Sequence, residues 1–160
     1  MAKTATVPGG DVLVDASLLV AILDNEPAAL PFVALLSRSI ATSVNFGETL
    51  YKVEQLSGVG PRLIETALLG LGLRVEPVGI AVARHFNDLK SIDVASRKAQ
   101  RAARVPAGKI KSLSLADIVC LAFAIEARLP VLTGDKHWCT LRPHGLAIEV
   151  FDYRDRATIL

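Results

Sequence analysis

The sequence predicts an α/β fold with a parallel central sheet, and three observations predict it. Short strand-like runs such as "DVLVD", "LRVEP" and "LPVLT" are separated by longer stretches with helical periodicity, the pattern of strands joined by crossover helices. A chain of 160 residues with 51% hydrophobic content and a mean hydropathy of +0.42 can bury a substantial core. No internal repeat, low-complexity tract or linker interrupts it, so one domain is expected over residues 1–160, with a short N-terminal extension over residues 1–10.

The elements follow in order. "DVLVDAS" reads as a strand over Val12 to Val14 ending at Asp15, and "SLLVAIL" as a helix capped near Ser17. "EPAALPFVALLSRS" is predicted to be a second helix, with its prolines confined to about the first turn. "SIATSVN" is a strand to Val44, after which Asn45 can cap the helix "FGETLYKVEQLS". A helix ending in glycine, "GPRLIETALLGLG", leads to the strand "LRVEPVG". Helical periodicity then runs through "IAVARHFNDLKS" and a basic stretch until Pro106 and Gly108 break it. In "SLSLADIVCLAFA" the run from Ile118 to Ile125 carries no charge and is apolar nearly all round, which predicts a helix buried on most sides. "LPVLTGD" is a strand to about Thr133, "KHWCTLRP" a short helix, and "LAIEVFDY" the last strand.

Several function classes are disfavoured. No apolar run approaches the roughly 20 residues that span a bilayer. The N-terminus is a poor signal peptide, with one lysine and an aspartate breaking its apolar part. Cys120 and Cys139 make no disulfide framework, and a cytoplasmic protein is expected. There is no P-loop and no GxGxxG opening a helix. His137, Cys139 and His144 lack a familiar zinc spacing. His85 and Trp138 read as packing residues, and with 5% aromatics there is no base-stacking platform to point to.

The formal net charge of +2 implies no nucleic-acid partner by itself, but its distribution is uneven. "RKAQRAARVPAGKIK" holds Arg97, Lys98, Arg101, Arg104, Lys109 and Lys111 and no acid. Such a cluster is either a solvated helix face or the electrostatic footprint of a polyphosphate ligand.

Four acids occupy comparable places. Asp15 follows the first strand, Glu48 lies in the first turn after the second, Asp117 heads the buried helix, and Asp135 follows "VLTG". In open parallel sheets, functional groups gather beyond the carboxyl ends of the strands. Each acid has a local reading too: Ser114 with Asp117 and Asn45 with Glu48 have capping-box spacing, and Asp135 suits an N-cap. If instead the acids converge, two like charges 4 Å apart repel by about 4 kcal/mol at an effective dielectric of 20. A bound hard cation such as Mg²⁺ or Mn²⁺ would relieve that repulsion and support phosphodiester hydrolysis.

"VLVDAS", "SVNFGETL", "LSLADIVCLAFA" and "VLTGDKHW" occur in the order and spacing of the PIN domain, and the chain from about Asp11 to Asp152 resembles the VapC-type toxins of bacterial type II toxin–antitoxin systems. The resemblance implies a PIN-like three-layer domain with a central mostly parallel sheet flanked by helices. It also implies that Asp15, Glu48, Asp117 and Asp135 share a pocket binding Mg²⁺ or Mn²⁺, with Thr133 supporting the last acid. The implied activity is endoribonuclease cleavage of RNA by a homodimer held inactive by a cognate antitoxin. The long basic segment before Asp117 departs from the family pattern. Two alternatives stand beside this one: a PIN nuclease acting in RNA processing or on structured DNA without an antitoxin, and a non-enzymatic receiver-like signalling module, although Asp15 is single where such modules generally pair acids.

Overall fold

In the computed structural model, which describes residues 5–159, strands and helices alternate along the chain. β1 (Ala5–Thr6), β2 (Val12–Val14), α1 (Ala16–Leu23) and a 3-10 run over Leu30–Arg38 lead to β3 (Ser39–Thr42). Then come α2 (Ser43–Ser57), α3 (Pro61–Gly70), β4 (Arg74–Glu76), α4 (Ile80–Ala83) and α5 (Phe86–Ala102). After a 3-10 turn at Ala107–Lys109 follow α6 (Leu115–Ala127), β5 (Val131–Thr133) and α7 (Lys136–Cys139). A 3-10 turn at Arg142–His144, β6 (Val150–Asp152) and β7 (Thr158–Ile159) complete the order. No helix among the described residues is long and apolar enough to cross a membrane.

Strands β2 to β6 form one five-stranded sheet in the order β4-β3-β2-β5-β6, with every pair parallel. Leu13 lies opposite Ile40 on one side and Val131 on the other. Because side chains alternate across a strand, these three face a core shared with Leu89 of α5 and Ile118 and Leu121 of α6. Val12, Val14, Ala41 and Leu132 face the opposite core with α1, the 3-10 run, α2 and α3. The sheet is therefore covered on both faces, giving the expected three layers and explaining why its strands are apolar on both sides. The chain winds outward from β2 to β4, then returns beside β2 to build β5 and β6. Strand order reverses between β2 and β5, and the crevice beyond the ends of those two strands is where such sheets carry their functional groups.

Several boundaries differ from those expected. The expected helix in "EPAALPFVALLSRS" is a 3-10 run beginning only at Leu30. Pro31 has no amide hydrogen to give to the carbonyl four residues back, and Phe32 and Leu35, both buried, lie three apart, the repeat of the tighter helix. The strand expected to reach Val44 stops at Thr42, which itself caps α2 by accepting a hydrogen bond from the Asn45 amide at 3.1 Å. Likewise Asp15, not Ser17, caps α1. The long helix after Ile80 breaks at Arg84 and His85 into α4 and α5. Residues 1–4 of the expected N-terminal extension lie outside the described residues. From Ala5 onward it pairs in parallel with β7, a strand the sequence did not announce.

Candidate active site

The site is built outward from Asp15. β2 ends one residue earlier, and the backbone at Asp15 is still extended (φ −82°, ψ 157°), which aims its carboxylate along the start of α1. Oδ2 accepts from the Ser17 amide at 3.3 Å, the Ser17 hydroxyl at 2.6 Å and the Thr133 hydroxyl at 3.1 Å. Oδ1 accepts from Asn45 Nδ2 at 3.2 Å. Only 6% of the residue is exposed. Burial pushes its pKa up, the hydrogen bonds from Ser17 and Thr133 pull against that, and the charge of Glu48 pushes it further up.

The next layer ties the end of β5 to Asp15. Thr133 Oγ1, which donates to Asp15, also accepts from the Asp135 amide at 3.0 Å. Ser17 Oγ accepts from the Gly134 amide at 2.8 Å. From the outer side Arg154 Nη1 donates to the Gly134 carbonyl at 3.1 Å. Arg154 is itself held by Glu26, with Nε and Nη2 donating at 2.8 and 3.0 Å, and lies 4.8 Å over the Tyr153 ring. Gly134 is required by this close approach: a Cβ there would lie 2.7 Å from both Arg154 Nη1 and the Tyr153 ring.

Three further acids surround this hub. Ser114 caps α6 and Asp117, at the third helical position, completes the capping box, accepting from the Ser114 amide at 2.7 Å while its own amide donates to Ser114 Oγ at 3.2 Å. Burial raises its pKa, the Ser114 hydrogen bonds oppose that, and the charges of Asp15 and Asp135 add to the rise. Asp135 caps α7 by accepting from the His137 amide at 2.9 Å. Glu48, on α2, pairs with Lys52 one turn on at 2.6 Å. Asp15 thus feels the charge of Glu48, and Asp117 those of Asp15 and Asp135, and all four are hard oxygen donors that suit a hard divalent cation. Each also directs an oxygen at a local partner, and among the described residues no three His, Cys, Asp or Glu side chains form a ready metal-holding group.

The basic stretch is divided by the fold. Arg97 pairs with Asp93 one turn earlier at 3.0 Å, so it is part of the α5 packing. Lys98, Arg101, Arg104, Lys109 and Lys111 are exposed. Asn45, Ser17, Gly134 and Arg154 belong to the site; the sequence marked Asn45 and Ser17 only as helix caps and did not mark Gly134 or Arg154. Ser17, two residues after a strand-end aspartate, carried a local signal, because Ser and Asp at that spacing form an Asx turn. Arg154 carried none, since its partners lie 20 and 128 residues away.

Residues 12–142 match the PIN domain family. The chain belongs to that family. No curated protein sequence gives a significant match. The PIN domain here is similar in fold to the DNA-bound VapBC of Salmonella typhimurium, at 16% identity and a TM-score of 0.58, covering 90% of this chain and 98% of that one. FitAcB from Neisseria gonorrhoeae matches at 17% identity and a TM-score of 0.62, over 89% and 97% of the two chains. Mycobacterium tuberculosis VapC20, a toxin that cleaves the sarcin–ricin loop, matches at 15% identity and a TM-score of 0.51, over 84% and 95%. The receiver-like alternative falls away, because the family matched is a different one.

Two outcomes follow from this geometry. Asp15 and Asp117 have folded-state pKa values raised from 3.8. As pH rises, the unfolded chain releases these protons first, so the stability they contribute is complete below about pH 3.8 and is lost as pH climbs through the raised values. In EDTA, the melting temperature of wild type should fall over that window more steeply than that of Asp117→Asn; parallel profiles would show the carboxyl to be unperturbed. Separately, Gly134→Ala should lower unfolding free energy by about 1–3 kcal/mol in urea titrations, the usual cost of overpacking.

Proposed function

We propose that this PIN domain is a divalent-metal-dependent endoribonuclease of the VapC type, the toxin of a toxin–antitoxin pair acting in the cytoplasm. The observation that carries the reading is the crowding of carboxylates beyond β2 and β5: the ionisation of Asp117 is opposed by Asp15 and Asp135, and that of Asp15 by Glu48. Such crowding is relieved by a cation. Asp15, Glu48, Asp117 and Asp135 would hold Mg²⁺ or Mn²⁺, with Thr133 and Ser17 keeping Asp15 in direction. A bound ion of this kind supplies hydroxide from water at neutral pH and offsets charge on a phosphodiester.

RNA as substrate is supported by the exposed cations Lys98, Arg101, Arg104, Lys109 and Lys111 and by the likeness to VapC20. An antitoxin partner is supported by the likeness to VapBC and FitAcB. It is supported also by an apolar groove of about 170 Å³ between α1, α2 and α3, flanked by Leu56 and Leu63, each 69% exposed. The reading carries a homodimer with it, as in the toxins the sequence resembles.

Antitoxin-free protein should cleave RNA with Mg²⁺ or Mn²⁺, stop in EDTA, and lose cleavage in Asp117→Asn. In thermal melts, Mg²⁺ at a hundredfold excess over its dissociation constant should stabilise wild type by about 2.7 kcal/mol and the variant far less. Undiminished cleavage in EDTA, or none with either ion, overturns the reading.

A further inference from the structure

A groove of about 560 Å³ runs beside Asp135, between the segment that follows α5 and the short helix α7. Gln100, in the last turn of α5, and Lys111, in the segment after it, line one side, Lys136 and Thr140 of α7 and the turn after it line the other, and Arg154 stands at the edge. A further concavity of about 520 Å³ shares Lys136 and Arg154 and continues to Arg156.

The cations in the groove are not equivalent. Arg154 is already neutralised by Glu26 at 2.8 Å. Lys111 and Lys136 are exposed, and among the described residues neither forms an ion pair. Lys111 is nevertheless fixed in place. The Gln100 side chain clamps its backbone from both sides, Nε2 donating to the Lys111 carbonyl at 2.9 Å and Oε1 accepting from its amide at 2.8 Å. Two residues on, the Leu113 amide donates to the buried Asp93 at 2.9 Å, so the chain is pinned again. Lys136 is the first residue of α7, directly after Asp135. Two uncompensated ammonium groups, one with its backbone anchored, thus stand in the groove that Asp135 lines. Among the described residues no Phe, Tyr or Trp lines it, and its one aromatic ring, the imidazole of His137, is buried, so it offers charge rather than a stacking platform.

We propose that this groove is a phosphate subsite for a single-stranded RNA backbone, with Lys111 and Lys136 as its contacting cations and no reading of bases. The proposal rests on the nuclease reading and names where that site takes a flanking phosphate of its substrate. It also separates Lys111 from Arg97: Arg97 belongs to a structural pair, while Lys111 lines the same groove as an acid of the site.

Binding of a labelled single-stranded RNA of mixed sequence, followed by fluorescence anisotropy in EDTA between roughly 50 and 200 mM salt, tests this apart from cleavage. The double variant Lys111→Ala/Lys136→Ala should bind about tenfold or more weakly near 0.1 M salt. Its slope of log affinity against log salt should be shallower by about 1.4, the loss of two single-strand phosphate contacts. A second RNA of different sequence should be affected alike, and Lys111→Arg/Lys136→Arg should restore binding. The control Arg62→Ala/Arg84→Ala, which removes the same charge elsewhere, should leave affinity near wild type. An unchanged slope in the groove variant, an equal loss in the control, or no binding by wild type overturns the proposal. If the alanine pair melts early, Lys136→Glu gives the same test at one position. Should wild type bind RNA with the expected lysine dependence but never cut it, the nuclease reading fails and the groove assignment stands.

Discussion

The carboxylate of Asp15 is an ionisable group in a place that water hardly reaches, and such a group is tolerated only when its oxygens find donors. Here they come from Ser17 at the start of α1, Asn45 in the first turn of α2 and Thr133 at the end of β5. Asn45 is 30 residues away in sequence and Thr133 is 118 away, so satisfying this acid requires β2, α2 and β5 to meet in one arrangement. The sheet register that places Val14 beside Leu132 and the hydrogen bonds around Asp15 are one constraint seen twice. Even the unexpected start of α2 serves it: because Thr42 takes the capping position, the Asn45 side chain is free to turn toward Asp15.

Capping and ligation are compatible demands on the same acids. Asp117 and Asp135 each sit at a helix start and accept from a backbone amide, which sets the direction of the carboxylate before any ligand arrives. The positive end of a helix favours negative charge there, while at Asp117 burial and neighbouring acids disfavour it.

The alternation of strands and helices was legible because apolar periodicity is a local property, and so was the placement of Asp15, Asp117 and Asp135 where strands end or a buried helix begins, whereas Glu48 lies inside α2 because the helix starts at Ser43, earlier than the sequence suggested. The capping box at Ser114 and Asp117 was legible for the same reason and is present with both of its bonds. What escaped depends on distant partners. The β1–β7 pair joins two-residue strands from opposite ends of the described chain, too short to carry a pattern. Gly134 resembles any turn glycine until Arg154 and Tyr153 are seen against it. The basic run looked uniform, yet Asp93, one turn before it, removes Arg97 from the solvent-facing charge.

Cys120 lies three residues beyond Asp117 on α6 with no exposed surface, and its thiol is pushed well above its ordinary range by burial and then by the charges of Asp15, Asp117 and Glu48. A small alkylating reagent can meet that sulfur only when α6 lifts from the sheet. Its labelling rate is therefore a native clock for local opening at the acidic end of the fold, reading a free energy that global unfolding does not resolve. Cys139, the other free thiol, is exposed, but its pKa is pushed up to about 11, so at neutral pH it offers little thiolate to compete. The molecule carries its own reporter of that opening, set one helical turn from Asp117.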